Sequence, residues 1–572
     1  MKKYIKFYLL IFLNIFLLQS CITEVEVTEQ KELDLTQVKE NPPVPSPPSS
    51  PEEVAESMPA PDRTTFFISP NGSDSNHGTL INSPLKTFKQ AFQTMGQGDE
   101  LILLDGTYSV AGETGILRSV TYNGASIANS GPIPSGKTLH WPTIIRALNP
   151  GEVIVQDFDN SPLFIGRSNR KVSYLTISGI TFYGGGQLFN SSYVTIKDCG
   201  FKGSFSVGTG DHPNGNSYNL IEDVWIWSNN RRIVAINYRS HNNVWRRVVV
   251  RSDGCDQPGC ESFPKEDPSV GITVYDSHDV SMQNIIVVDR VLRNDRAYGD
   301  FATAQHTSDS QYYLGRNEWL GSMSINSDDA ALHFEADSVL ASGNTIWKIE
   351  NFATVGSSIG GINLGNVPYN YDAVGKPISE ISHSTVILDT PGSNRSSYRV
   401  SPGQSNGLIK NSIGVNGTRT NFNSISGGVE NSVGFESAAS EGNFDSQFCT
   451  GSCIDLSSNP TQDGSLLYPT RVETNSSVAT AISNQSIGAN ITKQIGSAGS
   501  RFGESGYNTK STIALWPWPN EARIKKEMCL DSEITRGFCS TSNRLNSSKG
   551  ITLSSYIWES LGNQMPAHIY ND

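Results

Sequence analysis

Six arginines fall within the 21 residues from 231 to 251: Arg231, Arg232, Arg239, Arg246, Arg247 and Arg251, in a chain of formal charge −13. A guanidinium presents a rigid fork of donors that grips carboxylate or sulfate bidentately, so this cluster suits an anionic ligand. The next residues, 253–268, carry Cys255, Cys260 and five acids. Asp253, Asp256, Glu261 and Asp267 supply the hard oxygens that calcium takes. β-Elimination on a uronate needs the carboxylate neutralised, a base for the C5 proton and an acid for the leaving oxygen. Arg251, Arg247 and Lys265 are the candidates for those catalytic roles, with calcium as the cofactor. An arginine base requires surroundings that bring it far below its usual pKa of above about 12. The same residues also read as a solvated sheet face neutralised by an acidic loop.

A second set lies in SINSDDAALHFEAD, residues 324–337, where Asp328, Asp329 and Glu335 flank His333. Paired carboxylates hydrolyse a glycosidic bond, an inverting pair standing roughly 6.5–9.5 Å apart to admit a water. An acidic turn between strands accounts for these residues equally well.

The elements that must position these groups recur as a pattern. VSYLTISGITFYG (172–184), SYVTIKDCGFKG (192–203), SYNLIEDVWIWS (217–228), HNNVWRRVVVRS (241–252) and HDVSMQNIIVVD (278–289) each hold two short alternating strands around a bend. Weaker copies continue to about residue 437. The period inside each unit is 2 rather than 3.6, and each unit ends pointing the way it began. Helical solenoids and hairpin meanders are therefore excluded. The expected fold is all-β: a right-handed parallel β-helix, with coils over 111–440.

Alternation puts Ile180 and Phe182, Cys199 and Phe201, Val224 and Ile226, Val248 and Val250, and Ile285 and Val287 inside. Cys199 is then a buried free thiol. Lys202, Trp227 and Arg251 turn outward as one stacked column with Trp225 beside it. An indole face covers sugar C–H groups while cations take the carboxylates. Together with Arg231, Arg232, Arg239 and His241, this makes the expected substrate-binding surface. Tyr-x-Ser-His recurs at 238 and 275 and stacks His241 on His278.

Such a stack exposes strand edges at its ends and needs caps. Residues 63–110 supply strand, loop, helix and strand. Ser83 and Pro84 can open the helix, and Leu85, Phe88, Ala91, Phe92 and Met95 form its apolar face. Residues 441–572 form C-terminal loops and a cap rich in Trp, Tyr and Pro. The front segment, SPNGSDSNHGTLINSPLKTFKQA…GDELILLDGTY, resembles the opening of secreted bacterial β-helix proteins of the pectate-lyase-like superfamily. The resemblance implies action on, or binding of, polysaccharide, with the substrate along the outer face of the parallel sheets. It names no subfamily. The Arg-His-Gly element of the alginate and chondroitin lyases, the four-Asp calcium cluster of pectate lyases and the Gly-His-Gly of polygalacturonases have no counterpart in register.

Lys2, Lys3 and Lys6 precede an apolar run ending Leu18-Gln19-Ser20-Cys21. This reads as a lipoprotein signal over 1–20 with lipidation at Cys21, the alternative being an uncleaved anchor. It gives an outer-membrane lipoprotein of the cell envelope, joined to the membrane by that lipid. Residues 21–62, with PPVPSPPSSP and a net charge of −8, form a disordered tether. Export permits disulfides, and Cys255 with Cys260, Cys449 with Cys453, and Cys529 with Cys539 are close pairs. Nucleic acid is excluded as a partner by the acidic balance and the absence of a recognition motif. The expected function is an acidic-polysaccharide lyase acting as a monomer. A hydrolase of the same fold and a non-catalytic adhesive binder are the alternatives.

Overall fold

The computed structural model describes residues 63–570, apart from 119–130, 159–160, 168–169, 209–215, 229–231, 238–239, 253–268, 291–296, 306–315, 327–331, 337–345, 358–360, 365–379, 389–396, 401–407, 417–420, 424–427, 436–442, 445–448, 531–536 and 541–550. Its strands form a 24-stranded and an 11-stranded sheet in which each strand pairs in parallel with the one a coil away. The parallel β-helix expected from the period-2 repeats is the fold.

Each coil has three faces. Val172–Ser178 and Ser191–Lys197 belong to the first, Thr181–Tyr183 and Gly200–Lys202 to the second, and Gly186–Leu188 and Phe205–Val207 to the third. Leu220–Ser228 and His241–Ser252 run through the first two faces, which is why these count as one large sheet. The ladder begins at Thr65–Ile68, inside the segment expected to cap it, and runs to Cys453–Asp455.

The bend between the first two faces is a single residue in the left-handed region. Asp198, Asp223, Arg247, Asn284, Asn351, His383, Asn411 and Asn431 occupy it with φ from 47 to 55°, and Gly179 and Gly321 fill it elsewhere. Asn, Asp and Gly are the ordinary occupants of that conformation. Arg247 is the unusual one. A second such column lies at the start of the first face: Tyr174, Tyr193, Tyr218, Asn242 and Asp279, with φ of 56, 56, 55, 54 and 51°. Three tyrosines there cost roughly 3–9 kcal/mol of backbone strain. Their rings stack at 5.2 and 5.1 Å, worth about 1–3 kcal/mol for two stacks, which offsets only part of it.

All ten residues predicted to face inward are buried in the main core, including the free Cys199. The helix of the N-terminal segment is Phe88–Thr94, four residues later than Ser83 and Pro84 suggest. Asp74 accepts from the backbone of Lys86 and Thr87, and Leu85 bridges to Ile68, so the chain stays extended until Thr87 caps the helix. The Asn-Gly-Ser-Asp-Ser-Asn loop is thus a capping turn.

The described residues after 455 are not confined to the end of the stack. They run back along its flank. Gly488 donates to Asn411, Ala489 to Thr385 and Asn490 to Asn351, while Ile495 reaches Asn284 and Arg523 reaches Gly179. On the way they form an antiparallel pair, Lys493–Ile495 with Lys510–Ala514, and the helices Glu521–Met528 and Leu553–Trp558. A second hydrophobic core results. It joins the outward residues of the second face, among them Trp225, Trp227, Val249, Ile286, Val288, Ile325 and Ile413, to Trp516, Trp518, Ile524, Tyr556 and Trp558. The second face is apolar on both sides because it is covered on both sides.

Candidate functional site

The predicted column exists, but it is not a surface. Lys202, Trp227 and Arg251 lie in register on the second face, continuing Tyr183 and followed by Val288. Alternation therefore placed them on the correct side. Trp225 and Trp227 are nevertheless 0% and 1% exposed. Trp225 Nε1 donates to Glu527 Oε2 at 2.8 Å, and the Arg523 guanidinium sits over its ring at 4.6 Å. Arg251 pairs with Asp289 at 3.2 Å, both side chains fully buried, and Asp289 also accepts from Phe538 N and the Tyr556 hydroxyl. Lys525 beside them is pushed down to about 8 by burial and by the charge of Arg251. No polymer reaches Arg251, Trp225 or Trp227 while the C-terminal segment is in place. Lys202 is half-buried, its ammonium 5.6 Å from the Tyr183 ring centroid.

Arg247 is also structural. It grips Asp223 through Nε at 2.6 Å and Glu222 through Nη2 at 2.9 Å. Arg246 pairs with Glu222 at 3.0 Å and donates to Gln283 and to the carbonyls of Ser497 and Tyr507. Burial alone would raise the Glu222 carboxyl, but the two guanidiniums outweigh it and hold Glu222 below the ordinary carboxylate range. This cluster fastens residues 494–510 across the first face. Two of the six arginines, Arg246 and Arg247, thus anchor the chain's own C-terminal segment.

The remaining predicted residues scatter. Arg232 is half-buried at the start of the third-face strand Arg232–Asn237, over the Tyr275 ring at 5.8 Å. His241 stacks on His278 at 5.3 Å with planes 6° apart, at the start of the first face. Arg231, Arg239, Lys265, Asp253, Asp256, Glu261, Asp267, Asp328, Asp329, Cys255, Cys260 and the lipidation site Cys21 lie outside the described residues. The backbone of Glu335 is on the third-face strand Leu332–Ala336. Cys449–Cys453 and Cys529–Cys539 are disulfides. Among the described residues no cluster of His, Cys, Asp or Glu could hold a metal ion.

The third face is built differently. The contacts described for the C-terminal segment fall on the other two faces. Between its core positions the described row runs Phe164, Gln187 and Ser206, all half-buried, to Thr273, which is buried; by backbone register the same row continues through residues 302, 333, 363 and 399. These positions alternate with Leu332, Ile362 and Tyr398 of the core. Among the coils, the connections 253–268, which leads into this face, and 306–315, 337–345 and 365–379, which lead out of it, are long. Turns between the first and second faces stay short throughout. In stacked repeats, insertions gathered beside one face commonly mark the binding face.

No protein-family model matches the chain. It is 25% identical over 223 residues to pectate lyase L of Dickeya dadantii (strain 3937), covering 37% of this chain and 45% of that protein. To pectate lyase L of Dickeya chrysanthemi it is 25% identical over 188 residues, covering 33% and 36%. The chain thus spans less than half the length of these relatives. Among solved structures, pectate lyase Pel9A aligns with 78% of this chain and 94% of its own at 14% identity and a TM-score of 0.35. A mannuronic acid-specific family 6 lyase from human gut microbiota covers 70% and 93% at 12% identity and a TM-score of 0.38. The chain is a parallel β-helix protein similar to the pectate-lyase-like proteins, with no lyase subfamily matched.

Proposed function

We propose that the protein is a polysaccharide lyase that cleaves an acidic, uronate-containing polymer on the outer side of its third face. The observation that carries this is the division of the coil. The described contacts of the C-terminal segment fall on the other two faces, while the third, with Gln187 and Ser206 half-buried on it, lies beside the long connections. The similarity to pectate lyases supports the reaction class. In the elimination a base removes the C5 proton, the C4–O bond breaks, a C4=C5 bond forms and the departing oxygen takes a proton; no water is consumed. Lys265, on the connection leading into the third face, is the base candidate that survives. Arg251 and Arg247 are not bases, because buried carboxylates hold both. Asp253, Asp256, Glu261 and Asp267 on the same connection have the oxygen donors calcium takes, and calcium there would neutralise a substrate carboxylate.

The test is incubation of the full chain with polygalacturonate, alginate and chondroitin, with and without calcium. Unsaturated uronate ends lost in Lys265→Ala support the reading. Reducing ends without unsaturation overturn it in favour of a hydrolase, for which Glu335 on the third face is the acid to replace. Neither product leaves a binder. Lipidation of Cys21 at the cell envelope belongs to the proposal; Cys21→Ala should abolish incorporation of labelled fatty acid.

A further inference from the structure

The stacked rings at the start of the first face have no role in that reaction. Tyr174, Tyr193 and Tyr218 hold the same position in three successive coils, and all three are half-buried. The stack continues edge-on to His241 at 6.4 Å and then face-on to His278 at 5.3 Å. Hydroxyls run beside it, with Ser173 and Ser192 3.0 Å apart. Cations border it. Arg170 and Lys171 are exposed just before Tyr174, and Arg501 reaches Thr195 beside Tyr193 at 2.5 Å. At its first end Gly136 donates to the carbonyls of Ser173 and Tyr174, and Lys137 covers the Trp141 ring at 3.7 Å.

Two observations set this column apart from ordinary packing. The tyrosines occupy left-handed positions that Asn and Asp fill in the next two coils of the same column. The backbone is thus strained for the sake of the side chain, and such strain gathers at functional sites. The rings also repeat at 5.1 to 5.3 Å within the tyrosine trio and within the histidine pair, joined by one edge-on step of 6.4 Å, so that phenol, imidazole and hydroxyl follow one another along the stacking direction of the coils. A ligand that matches such a line must itself repeat, must offer hydroxyls to Tyr and His, and must carry negative charge for Lys and Arg.

We infer that Tyr174, Tyr193, Tyr218, His241 and His278 form a second glycan-binding strip, distinct from the third face, that holds an acidic polysaccharide lying along the stacking direction of the coils. The inference rests on the proposed function for its ligand class. Its use is retention: a long chain gripped here stays at the protein while another stretch of it meets the third face, raising effective concentration.

The test is affinity electrophoresis of the full chain in gels containing polygalacturonate or alginate, with a neutral glucan as control. Replacing the three tyrosines with Asn suits the backbone, so Tm is expected to hold or rise while affinity for the acidic polymers falls at least tenfold. Arg170→Gln with Lys171→Gln, which strains nothing, is expected to weaken retention of the acidic polymers several-fold. Retention unchanged in both variants overturns the inference, including where the triple variant fails to fold and the Gln pair alone is measured. Retention equally strong on neutral glucan overturns the acidic ligand. A wild type that degrades polyuronate, with both variants retained normally, sinks the strip and leaves the lyase reading standing. A wild type that neither binds nor degrades any acidic polymer sinks both.

Discussion

Trp225 and Glu527 stand 302 residues apart in the chain and share a buried 2.8 Å hydrogen bond from indole to carboxylate. The bond marks where the C-terminal segment closes over the second face. Glu527 also takes Arg523 Nε at 2.5 Å, and Arg523 lies over the Trp225 ring, so the three side chains form one unit. An indole of about 200 Å² moved from water at about 25 cal/mol per Å² contributes about 5 kcal/mol as an upper bound. Trp225→Ala is therefore expected to cost about 3–5 kcal/mol in denaturant unfolding. A tryptophan serving as a sugar platform would instead leave stability unchanged and weaken polymer binding.

Glu222 binds two buried guanidiniums, and the pH dependence follows. Its folded pKa is depressed, so its contribution is present above the unfolded value of about 4.5 and is lost as pH falls through the folded pKa. Glu222→Gln leaves Arg246 and Arg247 short of a countercharge, a change of about 3–5 kcal/mol when one partner of a buried pair is removed. Urea unfolding at neutral pH should show that deficit. The gap between wild type and variant should close as pH falls well below 4.5. A gap that stays constant would show that Glu222 acts by shape rather than charge.

Much of this is legible in the sequence. Alternation identified the inward residues and put Lys202, Trp227 and Arg251 in one outward column. It could not say whether outward meant wet. A signal for that was present: Val248-Val249-Val250 and Ile285-Ile286-Val287-Val288 are continuous apolar runs, the mark of a strand buried on both sides. Reading them as half-exposed left Arg251 as part of a binding ridge rather than as a buried partner of Asp289, and Arg246 and Arg247 as ridge rather than anchors for residues 494–510. The covering partner itself was not readable, because Trp225 meets Glu527 only through a return path that no local pattern encodes. The tyrosine column was visible as SYL, SYV and SYN at equivalent points of three units, but its left-handed backbone was not.

His241 gives an independent handle on its corner. Burial and the neighbouring His278 lower its pKa, opposed by Asn242 and Asp279, with Lys171 adding to the lowering. The folded state then binds fewer protons than the unfolded chain below the ordinary histidine value of about 6.5. Stability attributable to this ring is whole above that pH and is lost as pH falls towards the folded pKa. Between about pH 7.5 and about pH 5.5 the Tm of the wild type should therefore fall further than that of His241→Gln. Equal slopes would place the imidazole in a solvated setting instead.

Arg247 sets two effects of opposite sign against each other. Its φ of 50° suits Asn, which fills the same bend in the coil of Asn284, and relieving that strain is worth roughly 1 kcal/mol or somewhat more. The side chain, however, satisfies both oxygens of Asp223 and one of Glu222. Leaving those buried carboxylates with fewer donors costs about 3–5 kcal/mol. The second effect is the larger, so Arg247→Asn should lower stability by about 2–4 kcal/mol despite its better backbone fit. Adding Asp223→Asn removes one stranded charge and should recover part of the loss, a coupling that a double-mutant cycle reads directly. A stabilised Arg247→Asn single variant would mean that the strained backbone, and not the charge network, governs this bend.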